Sequence, residues 1–284
     1  MAIVRAVLMV ALVALGIAYG NAGTAGAQMV SLQVRPHAGD TVRLQLDQRT
    51  SMEATRRSAD DERTMTMVTE ITVHTTAMVL KSEPEGATVS AITDSAEVSM
   101  EPDEGGREAN RLRRRLRGQR VLMHIAPNGR ASVMQSGGLP APELSSLFSR
   151  MPALFPPEPV QVGGSWLQTI PVPVAGQAEG PAAMLRATFT LDSISDNGDL
   201  AFITIAGTLA RSPVAAAQSL ASGVTVETTG SISGSATLNR RSGWLVHAAA
   251  FATTVSTYSP PAGSTASPMT VTTHASQALR QVDN

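Results

Sequence analysis

Hydrophobic and polar residues alternate with period two along most of this chain, the pattern of strands that bury one face. Val42, Leu44 and Leu46 are interleaved with Arg43, Gln45 and Asp47, and the alternation continues from Thr64 to Leu80 through Ile71, Val73 and Val79. Glu83-Pro-Glu-Gly86 predicts a turn, and Ala87 to Met100 the returning strand. Gln119 to Ile125 and Ala131 to Met134 should form a tight hairpin around Pro127-Asn-Gly-Arg130, with Asn-Gly supplying the positive φ values of a type I′ turn. In the second half, strands are expected at Met184 to Ile194, Leu200 to Leu209, Val224 to Leu238, Trp244 to Tyr258 and Met269 to Leu279. Asp196-Asn-Gly-Asp199 and Arg240-Arg-Ser-Gly243 supply turns between them. Residues 64–100 with 119–135, and residues 184–211 with 230–255, follow one order of strand, turn, strand, insertion, strand, turn, strand. That order suggests two duplicated meander halves.

Helical spacing occurs twice. From Glu108 to Leu116, Leu112 and Leu116 lie one turn apart amid Arg111, Arg113, Arg114, Arg115 and Arg117. A second helix should begin at Pro140 or Pro142, place Leu144, Leu147, Phe148 and Met151 on one face, and stop at Pro152. The fold class that follows is mainly β: a large curved antiparallel sheet, a half-barrel, with one or two short helices packed on it. Along the chain this divides into a segment 1–27, a β-meander half with the arginine-rich helix over 28–139, a helix and proline-rich connector over 140–166, and a second meander half over 167–284.

The first 27 residues read as a secretory signal. Arg5 provides the positive start, Ala6 to Tyr19 is apolar and uncharged, and Ala25-Gly-Ala27 fits the small-residue cleavage pattern. The apolar run falls short of the roughly 20 residues a spanning helix needs, so no stable membrane span is expected after cleavage. The expected location is periplasmic or secreted. With no Cys in the chain, thiolate-ligated metals and disulfides are excluded, and a mature chain of this length can build a core without them. A formal net charge of −1 offers no overall field for nucleic acid, and 3% aromatic content leaves little for base or sugar stacking.

Catalytic patterns are missing from the sequence. No G-x-S-x-G occurs: Gly163-Gly-Ser-Trp166 lacks the second Gly, and Gly230-Ser-Ile-Ser-Gly234 carries Ile at the central position. The sole lysine, Lys81, has no S-x-x-K context. His37, His74, His124, His247 and His274 are scattered without paired ligand spacing, and Glu101 to Glu108 lacks the alternating oxygen ligands of a calcium loop. No metal or cofactor is implied. The arginines Arg111, Arg114, Arg115 and Arg117 are candidates for contact with an anionic group or a partner protein, although the acids of 101–108 stand close enough to balance them. Met65, Met67, Met78 and Met100 read as core fillers.

Leu154-Phe-Pro-Pro-Glu-Pro-Val-Gln-Val-Gly-Gly-Ser-Trp166 resembles the FP-x-x-P-V-x-V-G-D-S-W segment of a family of exported bacterial proteins of unknown function, departing from it at Gly164, where that segment has Asp. The resemblance implies a fold similar to the curved half-barrels of periplasmic lipoprotein carriers, an analogy of fold and not of function. Physically, the prolines stiffen the link between halves, and Trp166 should anchor the following strand in the core. The leading expectation is therefore a non-enzymatic envelope protein that holds a lipid or other apolar molecule in the groove, with Leu144, Leu147, Phe148 and Met151 as lid or floor. A structural or interaction module contacting another envelope component is the alternative, and an enzyme with an unfamiliar site the third.

Overall fold

In the computed structural model the described residues are 29–57, 61–102, 106–137, 154–172, 183–209, 225–261 and 263–282. The expected signal segment and the expected helix after Pro140 lie outside them. The strands are β1 (Thr41–Arg57), β2 (Glu62–Glu83), β3 (Gly86–Glu101), β4 (Arg120–Ile125), β5 (Ala131–Gly137), β6 (Ser165–Val172), β7 (Ala183–Ile194), β8 (Leu200–Leu209), β9 (Thr225–Asn239), β10 (Trp244–Ser259) and β11 (Met269–Val282); one helix, α1 (Arg107–Leu116), is found among the described residues. All eleven strands form one antiparallel sheet in the order β5-β4-β3-β2-β1-β11-β10-β9-β8-β7-β6. It is open, with β5 and β6 at its two edges. Both meanders advance across the sheet in the same sense, and β11 closes the seam by pairing with β1 from Arg43↔Val282 to Arg56↔Met269.

Alternation decides which side of the sheet is covered. Val42, Leu44 and Leu46 on β1, Val73, Ala77 and Val79 on β2, and Val89 and Ala91 on β3 all point to one face, opposite the face carrying Asp47 and His74. Curvature follows from the packing. Met123 on β4 and Trp244 on β10 belong to one buried cluster, yet five strand spacings separate them, roughly 24 Å on a flat sheet. The sheet must therefore curl around this face. Five register shifts in four strand pairs, among them His74/Thr75 and Leu245/His247, add local twist. In β9, a Cβ on Gly234 would lie 2.3 Å from the Ala249 carbonyl oxygen, so the backbones approach more closely there than any side chain allows.

The core comprises three clusters on the concave face. One joins Phe189, Leu191, Ile203, Ile205 and Leu238 of β7–β9 to Phe155 and to Val30, Leu32 and Val34 of the segment before β1. That segment crosses the end of the groove, tied by Val30 N–H to Val160 O (2.7 Å), Val34 N–H to Pro127 O (2.8 Å) and Arg35 N–H to Gly243 O (3.2 Å). A second cluster lies over β1–β4, and in the third Ala109 and Leu116 of α1 pack on Val73, Ala96 and Val98.

Two expectations need correction. The 126–130 turn is a tight hairpin but not type I′: Gly129 N–H donates to Ala126 O (2.8 Å), Gly129 alone takes positive φ (83°), and Pro127 holds the first central position at negative φ. Gly198 (φ 76°) repeats that arrangement in the β7–β8 turn. Met65, Met67 and Met78 are exposed and fill no core. Met65 and Met67 lie beyond the last β2–β3 pair, Val68↔Glu101, where the long β1–β2 hairpin outruns its neighbour, and Met78 alternates outward between buried Ala77 and Val79.

Candidate functional site

The groove is filled at one side and hollow at the other. Between the two halves lies a cavity of about 140 Å³. Its floor is the inward row of β1–β3: Leu44, Leu46, Val73, Thr75, Ala77, Val89 and Ala91. Met123, Ile125 and Ala131 of the β4–β5 hairpin form one wall, and Trp244, Leu245, Gln277 and Leu279 of β10 and β11 the other. Val34, Leu154 and Phe155 close the end. The lining is apolar apart from Thr75 and Gln277. Alanines at 77, 91 and 131 leave the space, because each places only a methyl group where neighbouring strands carry Val, Leu or Met.

The connector is locked by its own motif. Leu154 and Phe155 donate their N–H groups to Asn128 O (2.9 and 3.0 Å), and Phe155 lies against Gly129. Trp166 donates its Nε1–H to Leu154 O (3.0 Å) and stacks on Phe189 with ring centroids 5.7 Å apart. At Gly164 a Cβ would stand 2.8 Å from the Gln161 carbonyl oxygen, so this turn has no room for the Asp of the resembling motif unless it shifts.

Helix α1 flanks the cavity, since Leu46 and Val73 serve both the cavity floor and the cluster under the helix. Glu108 pairs with Arg111 at 3.3 Å, and Arg115 is also engaged. The guanidinium groups of Arg113, Arg114 and Arg117 have no acid within ion-pair distance among the described residues, and all three are exposed. The anticipated balance by neighbouring acids is seen at Arg111, while Asp103 and Glu104, two of the acids expected to supply it, lie outside the described residues.

Elsewhere the chemistry is dispersed. Among the described residues no three His, Asp or Glu side chains gather as a metal site. His37 lies 3.5 Å from Asp40, and His274 Nδ1 lies 3.1 Å from Thr253 Oγ1, both at exposed positions. On the convex face, burial raises the Asp47 pKa. Hydrogen bonds from Gln45 (2.9 Å) and Thr72 (2.8 Å), with the charges of Arg280 and His74, outweigh that and hold the carboxyl below its usual value.

Residues 139–245 match the model of a family of unknown function (DUF6263). That stretch is short of half the chain, runs from before the proline-rich motif to the Trp244–Leu245 wall of the cavity, and brings no activity with it. No curated protein matches. A solved domain from Vibrio parahaemolyticus, named for a proposed role in outer membrane lipoprotein sorting, is 12% identical and covers 84% of this chain and 83% of its own, with a TM-score of 0.16. So loose a superposition carries no argument about this chain.

Of the residues singled out from sequence, Leu144, Leu147, Phe148 and Met151 lie outside the described residues. Arg111, Arg114 and Arg115 on α1 and Arg117 just past its C-terminal end are exposed, and none of them lines the cavity. The cavity walls were missed. The run of alanines at inward positions was a readable signal, but only the curl of the sheet brings β4 and β10 together. The segment before β1 was missed too, although Val30, Leu32 and Val34 already alternate with Ser31, Gln33 and Arg35.

Proposed function

We propose that this chain is a non-enzymatic exported envelope protein that binds an apolar ligand in the groove of its open half-barrel. The observation that carries this reading is the apolar cavity of about 140 Å³ between the two halves. Sites for whole drug-sized ligands occupy roughly 300–1,000 Å³, whereas an engineered apolar cavity of about 150 Å³ stays dry and takes a molecule the size of benzene. The cavity therefore suits the end of one alkyl or acyl chain, the remainder lying along the concave face. Leu144, Leu147, Phe148 and Met151 would cover that chain, and Arg111, Arg114, Arg115 and Arg117 would meet an anionic head group or an envelope partner at the rim. Residues 1–27 would direct export and be removed.

The test is native mass spectrometry of the protein purified from envelopes, followed by lipid extraction and titration with fluorescent fatty acids. A stoichiometric apolar ligand is expected, and Ala91→Leu, which fills the cavity, should weaken it at least tenfold without unfolding the protein. A clean apo protein that takes up neither lipids nor the fluorescent probes sinks the reading.

A further inference from the structure

The β1–β2 hairpin carries the concave face past the last β2–β3 pair, Val68↔Glu101, and on to Arg57↔Glu62. Pairing between β1 and β2 is unbroken over this length, so the inward rows that start in the cavity floor can be followed to the tip. Leu46 leads along β1 to Met52, and Val73 leads along β2 to Met67 and Met65. Met67 lies directly opposite Met52, and Met65 opposite Ala54. From Leu46 to Met52 the strand rises about 20 Å, within reach of a long acyl chain whose end lies in the cavity. At the tip the row is no longer covered: Met65 is 72% and Met67 40% exposed.

The hairpin is two-faced. Its other side carries Glu53, Thr55, Thr64 and Thr66, with the hydroxyls of Thr55 and Thr64 3.2 Å apart. On the methionine side the tip ends in Arg56 directly opposite Arg63, and like charges so placed repel. Asp61 answers Arg63 and Glu62 answers Arg57, each at 2.7 Å. Arg56 is exposed and has no acid within ion-pair distance among the described residues. Unbranched thioether side chains adapt to a surface without fixed shape, and a guanidinium at the end of an apolar strip suits a phosphate. Acyl chains beneath a layer of phosphates offer both at the right depth.

We propose that the tip of the β1–β2 hairpin docks this protein on a lipid bilayer that contains anionic phospholipid. Met65 and Met67 enter the acyl boundary, Arg56 meets a lipid phosphate, and the groove opens on the membrane that supplies its ligand. This rests on the apolar-ligand reading above and names the partner from which the ligand comes.

The experiment floats the purified full chain with vesicles of phosphatidylcholine mixed with phosphatidylglycerol, and with phosphatidylcholine alone. Uptake of a fluorescent fatty acid in vesicle-free buffer reads the cavity separately. Wild type should float with the mixed vesicles. Met65→Asp and Met67→Asp should each weaken that binding about tenfold, the scale of keeping one methionine side chain in water. Arg56→Ala should weaken it about fivefold on the mixed vesicles only, and high salt should erase that difference. Because all three side chains are exposed, the variants should keep the wild-type urea midpoint and fatty-acid uptake. Met78→Asp, at an exposed methionine on the convex face, should change nothing. Binding that survives the Met65 and Met67 replacements, or that Met78→Asp weakens equally, overturns the proposal. So does a wild type that floats only with vesicles carrying envelope proteins, which assigns the tip to a protein partner. A wild type that takes up fatty acid but ignores every vesicle removes the docking and leaves the cavity reading standing, whereas one that does neither sinks both. Flotation without uptake upholds the docking and strikes the ligand reading.

Discussion

The concave face is solid over β7–β9 and hollow over β1–β4, although both regions arise from the same alternation of apolar and polar residues. Over β7–β9 the inward positions carry Phe189, Leu191, Ile203 and Leu238, and Phe155 and Leu32 descend onto them, each with 2% exposure or less. Over β1–β4 the inward positions carry Ala77, Ala87, Ala91, Val79 and Val89, and what descends on them leaves about 140 Å³ open. Hydrophobicity is equal in kind on the two sides; side-chain volume is not. Close packing is a matter of volume matched to space, so one pattern yields a finished core on one side and an unfilled cavity on the other. The tryptophans repeat the contrast: Trp166 in the solid region is stacked and hydrogen-bonded, while Trp244 on the cavity wall is buried with its donor unused.

The comparison is broken most severely by opening a hole where there is none. Phe189→Ala removes a ring that is 1% exposed and stacked on Trp166, and should cost about 3–5 kcal/mol in urea unfolding. Adding volume should then separate the two regions. Ala187→Leu enlarges a side chain with 0% exposure and should cost about 1–3 kcal/mol, whereas Ala91→Leu grows into the cavity and should cost under about 1 kcal/mol. Equal losses in the two variants would show that the hollow region is as tightly packed as the solid one. Smaller again is the effect of the rim. Replacing Arg114 and Arg117 with Ala should leave stability within about 0.5 kcal/mol, while weakening an anionic amphiphile such as dodecyl phosphate in a salt-dependent way. Unchanged binding in calorimetric titration would remove the helix from the site.

The smallest expected effect lies on the convex face. The Asp47 pKa is lowered in the folded state, so its contribution to stability is present above the unfolded value of about 3.8 and is lost as pH falls through the lower folded value. Asp47→Asn should therefore flatten the acid limb of a stability–pH profile and change little near neutrality. The effect should be small because Asp47 is partly solvated and Arg280 stands 3.8 Å away.

The strands, their inward faces and helix α1 were legible in the sequence because the causes are local. Alternation from Val42 to Leu46 assigns a face whatever the neighbouring strand is, the Gly of each Asn-Gly pair takes the positive φ that closes its hairpin, and Leu112 and Leu116 mark the face on which α1 packs. The type I′ expectation failed because each turn closes one residue earlier, Gly129 N–H on Ala126 O and Gly198 N–H on Ser195 O, so that the Gly follows the two central residues and is not one of them. Met65 and Met67 failed because period two cannot say where a neighbouring strand ends, whereas the outward position of Met78 between Ala77 and Val79 was readable. Only the tertiary structure decided the rest: that β11 returns to pair with β1, that the sheet curls far enough to bring Trp244 and Met123 to opposite walls of one cavity, and that Val30 to Val34 seal one end of the groove. Sequence pattern reports whether a residue faces inward. Whether the inward space is filled depends on volumes contributed by strands distant in sequence, and those meet only when the sheet closes around them.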